Sequence, residues 1–365
     1  MRFCIFGLTL SSAWGNGHAT HYRALLRALH RRGHEIIFFE KDVEYYALRR
    51  DFICCDYCDL QLYENWDTLR PLALAHAAEA DVVIVGSYCP EGARINDDVL
   101  GISHPLRIFY DLDTPVTLGR LAMGDADYVS PHQIAEFDLV LSFTGGQALK
   151  VLRERYGARQ ARPLYGCVDP DIHGRVEPRS DFVCDLSYMG TYAADRQSKL
   201  DELFLEPARR LHDRGFLLAG ALYPWQWSWP GNVRRFDHVA PIDHSAMYSS
   251  ARCTLNITRR EMAANGYCPS GRFFEAAACG TPILTDYWEG LEEFFSPVEE
   301  LLIVSNANEV VAALNRGPAD LALMAGRARE RTLDEHTGDC RAQQLLSYLE
   351  SARGSNASRA LEMAS

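Results

Sequence analysis

Apolar runs of strand length alternate with helical stretches along the whole chain. The first, Phe3-Cys4-Ile5-Phe6 within residues 2–7, predicts a buried strand that leads into a loop reaching Gly17. A helix over about 19–32 follows, because Tyr22, Leu25, Leu26 and Leu29 recur at i, i+3, i+4 and i+7. Gly33 stops it, and His34-Glu35-Ile36-Ile37-Phe38-Phe39-Glu40 reads as the next strand. Further strands are predicted at 81–86, 106–110 and 138–143, with Thr144-Gly145-Gly146 opening another helix. Strand and helix in strict turn specify α/β architecture around a parallel sheet.

The pattern lapses over Leu164–Pro178, a turn-rich stretch that fits an inter-domain linker. A second series then begins. Strands are expected at 183–189, 216–221, 233–239, 253–258 and 282–286, with a helix at 196–214. Residues 321–352 are helical with a break around His336-Thr337-Gly338, and the small polar residues from Arg353 predict a frayed end. The expected division is a first domain over 1–166, a second over 167–335, a C-terminal helix over 336–352 and a disordered tail over 353–365. Two such Rossmann-like halves facing a central cleft bind ligands outside the carboxyl ends of their strands.

Composition narrows the partners. The chain has 365 residues, 47% apolar and 24% charged, which suits two globular cores and excludes disorder. Its formal charge of −12 disfavours a nucleic-acid backbone as partner but leaves phosphorylated small molecules open, since those need only local donors. No apolar run approaches the ~20 residues of a membrane span. The segment from Arg2 to Leu10 flows into a glycine loop, as a strand does and a secretory leader does not, so the cytoplasm is the expected compartment. The odd count of 11 cysteines fits reduced thiols rather than a disulfide framework. Cys54, Cys55 and Cys58 cluster without a matching His/Cys pair, so no metal is assigned to them.

The strongest chemical signal is Pro269-Ser270-Gly271-Arg272-Phe273-Phe274-Glu275-Ala276-Ala277-Ala278-Cys279-Gly280-Thr281-Pro282. A tight turn opens a short Ala-rich helix, and such a turn aims free N–H groups and the positive end of a helix dipole at one point, where an anion is stabilised. Arg272 adds a permanent cation, and Glu275 stands one turn along the same face. A phosphate-binding cation beside a carboxylate for sugar hydroxyls suits a nucleotide diphosphate; the competing reading is a surface i,i+3 ion pair. Two more turns in this half favour the first reading: Gly190-Thr191 with Arg196 just inside the next helix, and Arg259-Arg260 after the strand Leu255-Asn256-Ile257-Thr258.

In the first half, Trp14-Gly15-Asn16-Gly17-His18 offers glycines for close approach of a substrate and a histidine at a helix start. His18 is a candidate general base or else a packed loop residue, with Trp14 and Asn16 facing substrate. Tyr110-Asp111-Leu112-Asp113 ends a strand, where Asp113 serves as a second candidate base, a helix cap or, with Asp111, a metal ligand. The stretch Gly15-Asn16-Gly17-His18-Ala19-Thr20, with Glu40 ending the second strand, approaches a dinucleotide fingerprint. Thr20 replaces its third glycine, and Leu8–Trp14 separates it from the strand.

These motifs together resemble the GT-B-fold glycosyltransferases, in particular the bacterial CgeB-like, spore-maturation-type group. The resemblance runs over nearly the whole chain. It adds Leu141-Ser142-Phe143-Thr144-Gly145-Gly146, Gly190-Thr191-Tyr192 and Glu335-His336-Thr337 to the stretches above. It implies a metal-independent transferase using a UDP-, TDP- or GDP-linked sugar and no further cofactor. By the resemblance, Glu275 holds the ribose hydroxyls, while Ser270, Gly271 and Arg272 meet the diphosphate with Gly190, Thr191 and Arg196; Arg259, in the turn after 255–258, is a further candidate donor contact. The base lies by His238 and Val239, with Tyr223 as a further contact. Many relatives of this wider fold carry a second glutamate eight residues before the ribose-binding one; here Tyr267 stands there, so the stereochemistry is left open. Trp14, Gly15, Asn16 and Gly17 resemble an acceptor-side loop, and a C-terminal helix commonly crosses back to the first domain in such folds. The acceptor, whether small molecule, glycan or protein, and the oligomeric state are not specified. An NDP-sugar epimerase and a nucleotide-binding module without turnover are the alternatives.

Overall fold

Thirteen parallel strands divide between two sheets in the computed structural model, which describes residues 1–364 except 16, 53, 54 and 225, and only the backbone of 356–364. The chain separates into two units, Met1–Tyr165 with Gly338–Ser365, and Gly166–Thr337.

In the first unit the strands are β1 (Arg2–Gly7), β2 (Glu35–Lys41), β3 (Asp59–Tyr63), β4 (Val82–Gly86), β5 (Leu106–Asp111), β6 (Leu139–Ser142) and β7 (Ala161–Pro163). Their order is β3-β2-β1-β4-β5-β6-β7, so the sequence direction reverses between β1 and β4. Helices cover both faces, which is why the central strands β1 and β4 read as near-continuous apolar runs. One face packs Leu25, Leu26 and Leu29 of the first helix (His18–Arg31) with Leu345 and Leu349 of the C-terminal helix (Gly338–Ala364). On the other face Phe6, Phe39 and the fully buried Trp66 meet Ala73 and Ala77 of the helix Trp66–Glu79.

In the second unit the strands are β8 (Cys184–Met189), β9 (Phe216–Ala219), β10 (Val233–Phe236), β11 (Ala251–Asn256), β12 (Ile283–Thr285) and β13 (Leu302–Ile303). Their order is β10-β9-β8-β11-β12-β13, and the reversal falls between β8 and β11. Leu186, Phe204, Phe216, Leu218, Leu255 and Leu284 form the centre of this core.

Each central strand expected from the apolar runs is present within about two residues of its ends. The differences lie at edges and helix ends. β3, β7 and β13 carry too few consecutive apolar residues to stand out; β3 alternates polar Asp59 and Gln61, and β7 ends in Pro163, as edge strands do. The helix expected over 196–214 stops at Arg210 and widens into a π turn at Asp201–Leu205. Pro207 follows at once and has no N–H to return to the preceding turn, which accounts for the wide register. The C-terminal helix continues to Ala364 where a frayed tail was expected from Arg353. Arg353, Ala357, Arg359, Ala360, Leu361, Glu362, Met363 and Ala364 are good helix formers.

Candidate functional site

The helix Gly271–Ala278 of the second unit begins at Ser270 with no side-chain cap. Its N-cap hydroxyl instead accepts a hydrogen bond from Arg272 Nε at 3.0 Å. That leaves first-turn N–H groups for an outside acceptor. The Arg272 guanidinium reaches across the sheet end. Nη1 donates to the carbonyl of Met189 and Nη2 to that of Ile257 at 3.3 Å. Met189 ends β8 and Ile257 follows β11, so Arg272 sits on the topological switch point, where ligands of open α/β sheets bind.

Arg196 joins it from the β8 loop. One Nη donates to the Thr191 carbonyl, while the buried Nε has no partner among the described residues. Burial lowers the Arg196 pKa; Tyr188 opposes the shift and the charge of Arg272 adds to it. Among the described ion pairs neither guanidinium meets a carboxylate, and the carboxylate charges that act on them are Glu275 on Arg272 and Asp195 on Arg196. Gly190 lies between: a Cβ there would come 2.7 Å from Tyr188 Oη and 3.1 Å from Arg272 Nη1. Arg259 is farther out, 3.9 Å from Asp195, whose carboxylate accepts from Arg260 N at 2.9 Å.

Glu275 is buried on the helix Gly271–Ala278, with His244 Nδ1 at 3.5 Å from its Oε2. Burial pushes its pKa up, but His244 close beside it and the charges of His173 and Arg272 outweigh that and hold it at about 2. Burial lowers the pKa of His173 itself, so its share fades toward neutral pH while the charge of Arg272 persists. Glu275 is therefore a fixed carboxylate acceptor, and no surface pair with Arg272 forms among the described residues.

The other expected donor contacts fall in varied places. The Tyr223 hydroxyl donates to the Gly190 carbonyl at 2.9 Å and braces that loop. His238 is exposed, whereas Val239 is buried with its carbonyl facing His244 Nε2 at 3.2 Å. Tyr267 adopts φ of 48°, its N–H bonded to the Glu289 carbonyl and its ring lying where a Cβ on Gly290 would be only 2.4 Å from it. Gly271 has open space where a Cβ would stand.

In the first unit, His18 opens the helix after the glycine loop, and its Nε2 lies 3.7 Å from Asp113 Oδ2. That is ion-pair range, longer than a hydrogen bond. Two bases proposed separately thus form one dyad at the carboxyl ends of β1 and β5. Tyr88, after β4, packs edge-on to His18 at 5.9 Å with φ of 58°, a strained position for a non-glycine residue. Trp14 lies under Arg49 at 4.1 Å, and Gly15 takes φ of 68°. Gly17 has nothing within reach of a Cβ, and Asn16 lies outside the described residues.

Glu40 removes the dinucleotide reading. Fully buried, it accepts from Thr9 Oγ1, Leu10 N, Ser11 N and Ser11 Oγ at 2.6–3.0 Å, so both oxygens anchor the loop and neither is offered to a ribose. Asp111 is likewise internal, accepting from Thr117 Oγ1 at 2.8 Å, and burial raises its pKa to about 7. Tyr88, His173 and His244 were not singled out from sequence, because no local pattern links them to the motifs they touch. Among the described residues, one group has three donors close enough for a metal: His173, His244 and Glu275, within 4.8 Å of one another.

Residues 196–347 match the sequence model of a family described as glycosyl transferase-like. Among solved structures, sucrose-phosphate synthase from Thermosynechococcus elongatus superposes with a TM-score of 0.68 at 15% identity, covering 97% of this chain and 99% of that one. The fold is that of a GT-B glycosyltransferase. Anabaena HepE, in a complex with UDP and glucose, gives 0.69 at 14% identity, with 95% and 99% covered. An alpha-glucosyltransferase bound to UDP-glucose and DNA containing an abasic site gives 0.69 at 13%, with 96% and 99% covered. No curated protein sequence matches the chain. The helix Gly271–Ala278 lies inside the matched segment.

Proposed function

We propose that the chain transfers a sugar from a nucleoside-diphosphate sugar to an acceptor hydroxyl, with the second unit as donor domain and the first as acceptor domain. The observation that carries this reading is the pair of guanidiniums, Arg272 and Arg196, at the β8/β11 switch point beside the uncapped donor helix. Two cations and oriented N–H groups suit a diphosphate. Glu275 accepts the ribose hydroxyls, and the base lies by His238 and Val239. The acceptor loop is Trp14–Gly17.

In the transfer, the acceptor oxygen attacks the anomeric carbon and its proton passes to His18, whose imidazolium Asp113 stabilises. The bond between the anomeric carbon and the diphosphate oxygen breaks. Arg272, Arg196 and the helix N–H groups take up the charge of the leaving diphosphate, so no metal is required at the phosphates. UDP-linked sugars are the first donors to test, since HepE and the alpha-glucosyltransferase were both determined with UDP or UDP-glucose. That transferase also binds DNA; the charge of −12 here argues for a different acceptor. The CgeB-like group is the subtype that fits the motifs, and the cytoplasm the expected compartment.

Incubation with UDP-, TDP- and GDP-sugars tests the reading. Nucleoside diphosphate released only with an acceptor supports transfer. Sugar isomerisation without acceptor identifies an epimerase, and binding with neither outcome identifies a module without turnover.

A further inference from the structure

His244 stands between two parts of the donor site that lie far apart in sequence. Its Nε2 is 3.2 Å from the Val239 carbonyl, in the loop after β10, and its Nδ1 is 3.5 Å from Glu275 Oε2 on the donor helix. Both neighbours are acceptors: a carbonyl oxygen and a carboxylate. Nε2 is hydrogen-bonded to the carbonyl, and Nδ1 lies in ion-pair range of the carboxylate. His173, 2% exposed, closes the group from behind. Its ring centroid is 6.0 Å from that of His244, and neither of its ring nitrogens has a hydrogen-bond partner among the described residues.

A metal would also satisfy these donors. Tetrahedral bonds of about 2.0–2.2 Å set ligand atoms roughly 3.5 Å apart. The His244–Glu275 spacing suits that edge, but the three donors spread to 4.8 Å. In addition, Nε2 of His244 is already turned to a backbone carbonyl.

We propose that His244, backed by His173, is a positioning residue that ties the Val239 loop to Glu275, so that the contacts to nucleobase and ribose are set together. This rests on Glu275 serving the ribose. Without the brace, the carboxylate is free to rotate inside its buried pocket, and its discrimination for ribose hydroxyls falls while the diphosphate contacts stay. Donor affinity therefore weakens through the nucleoside, and the chemical step is spared.

The test compares UDP with 2′,3′-dideoxy-UDP by calorimetry on the full chain and its variants, with steady-state kinetics on UDP-glucose alongside. In His244→Ala the preference for UDP over the dideoxy compound is expected to drop about tenfold, with donor KM rising and kcat within about twofold of wild type. His173→Gln shows a smaller drop of the same kind. His244→Gln keeps one donor and falls between, and serves if the alanine variant does not fold. An unchanged preference in both histidine variants, when Glu275→Gln abolishes it, overturns the brace alone. If Glu275→Gln leaves the preference intact, the ribose assignment falls with it. One equivalent of metal in the purified chain, lost in His173→Gln, overturns the hydrogen-bonded brace in favour of a metal centre.

Discussion

His18 and Asp113 illustrate what single residues do here. Each is a candidate base on its own; at 3.7 Å they are placed to act as a pair in the proposed transfer, the carboxylate stabilising an imidazolium as it forms. His18→Ala is expected to lower kcat by about 10²–10⁴ with donor affinity preserved; near wild-type kcat in a transfer assay would remove His18 from the chemistry. Asp111, two residues from Asp113, has a different part. Its folded pKa is raised to about 7 from an ordinary 3.8, so the native state holds a proton that the unfolded chain has released. Stability therefore falls as pH rises from about 4 to 7 and stays reduced above. Relative to Asp111→Asn, wild type should lose roughly 1–4 kcal/mol between pH 4 and pH 8 in urea unfolding. A pH-independent difference would contradict an ionisable role. Neither pairing nor burial was legible from sequence. The Asp-x-Asp spacing marks two carboxylates equally, and only the packing around β5 makes one internal and leaves the other beside His18.

Elements were more legible than residues, for a physical reason. Strands buried on both faces are largely apolar, so β1 and β4 announce themselves as runs. Edge strands need only a few such residues and go unnoticed. Glycine and proline at the donor motif likewise marked its turn, helix and strand, because those residues set backbone geometry locally. The docking of the C-terminal helix is a tertiary matter. A break was legible at His336-Thr337-Gly338, but not why the glycine stands there: a Cβ on Gly338 would lie 2.5 Å from the Ala24 carbonyl of the first helix. Gly338→Ala should push the two helices apart and destabilise the first unit by about 1–3 kcal/mol, seen in calorimetry as an earlier transition. An unchanged melt would mean that the helices do not pack this tightly.

On the scale of the whole molecule, two parallel sheets share one strand plan, each reversing direction at its centre. The shared plan puts functional loops at the carboxyl ends of both sheets, and charge then distinguishes them. The first unit places an imidazole and a carboxylate there; the second places two guanidiniums and a buried carboxylate. Alternation of elements made the architecture readable from sequence. The convergence of Arg196, Arg272 and Glu275 was anticipated only because each lies in a turn or helix start after a strand. The two histidines around Glu275 come from a linker and from mid-helix, where no such rule applies.

The central claim is that Glu275 and the guanidiniums beside it hold a nucleoside-diphosphate sugar. Titration calorimetry of wild type and Glu275→Gln with UDP-, TDP- and GDP-glucose tests it most directly. The account predicts saturable binding of at least one donor by wild type, and at least about tenfold weaker binding by a variant that melts as wild type does. Equal affinity in the two proteins, or no binding of any donor by wild type, would contradict it.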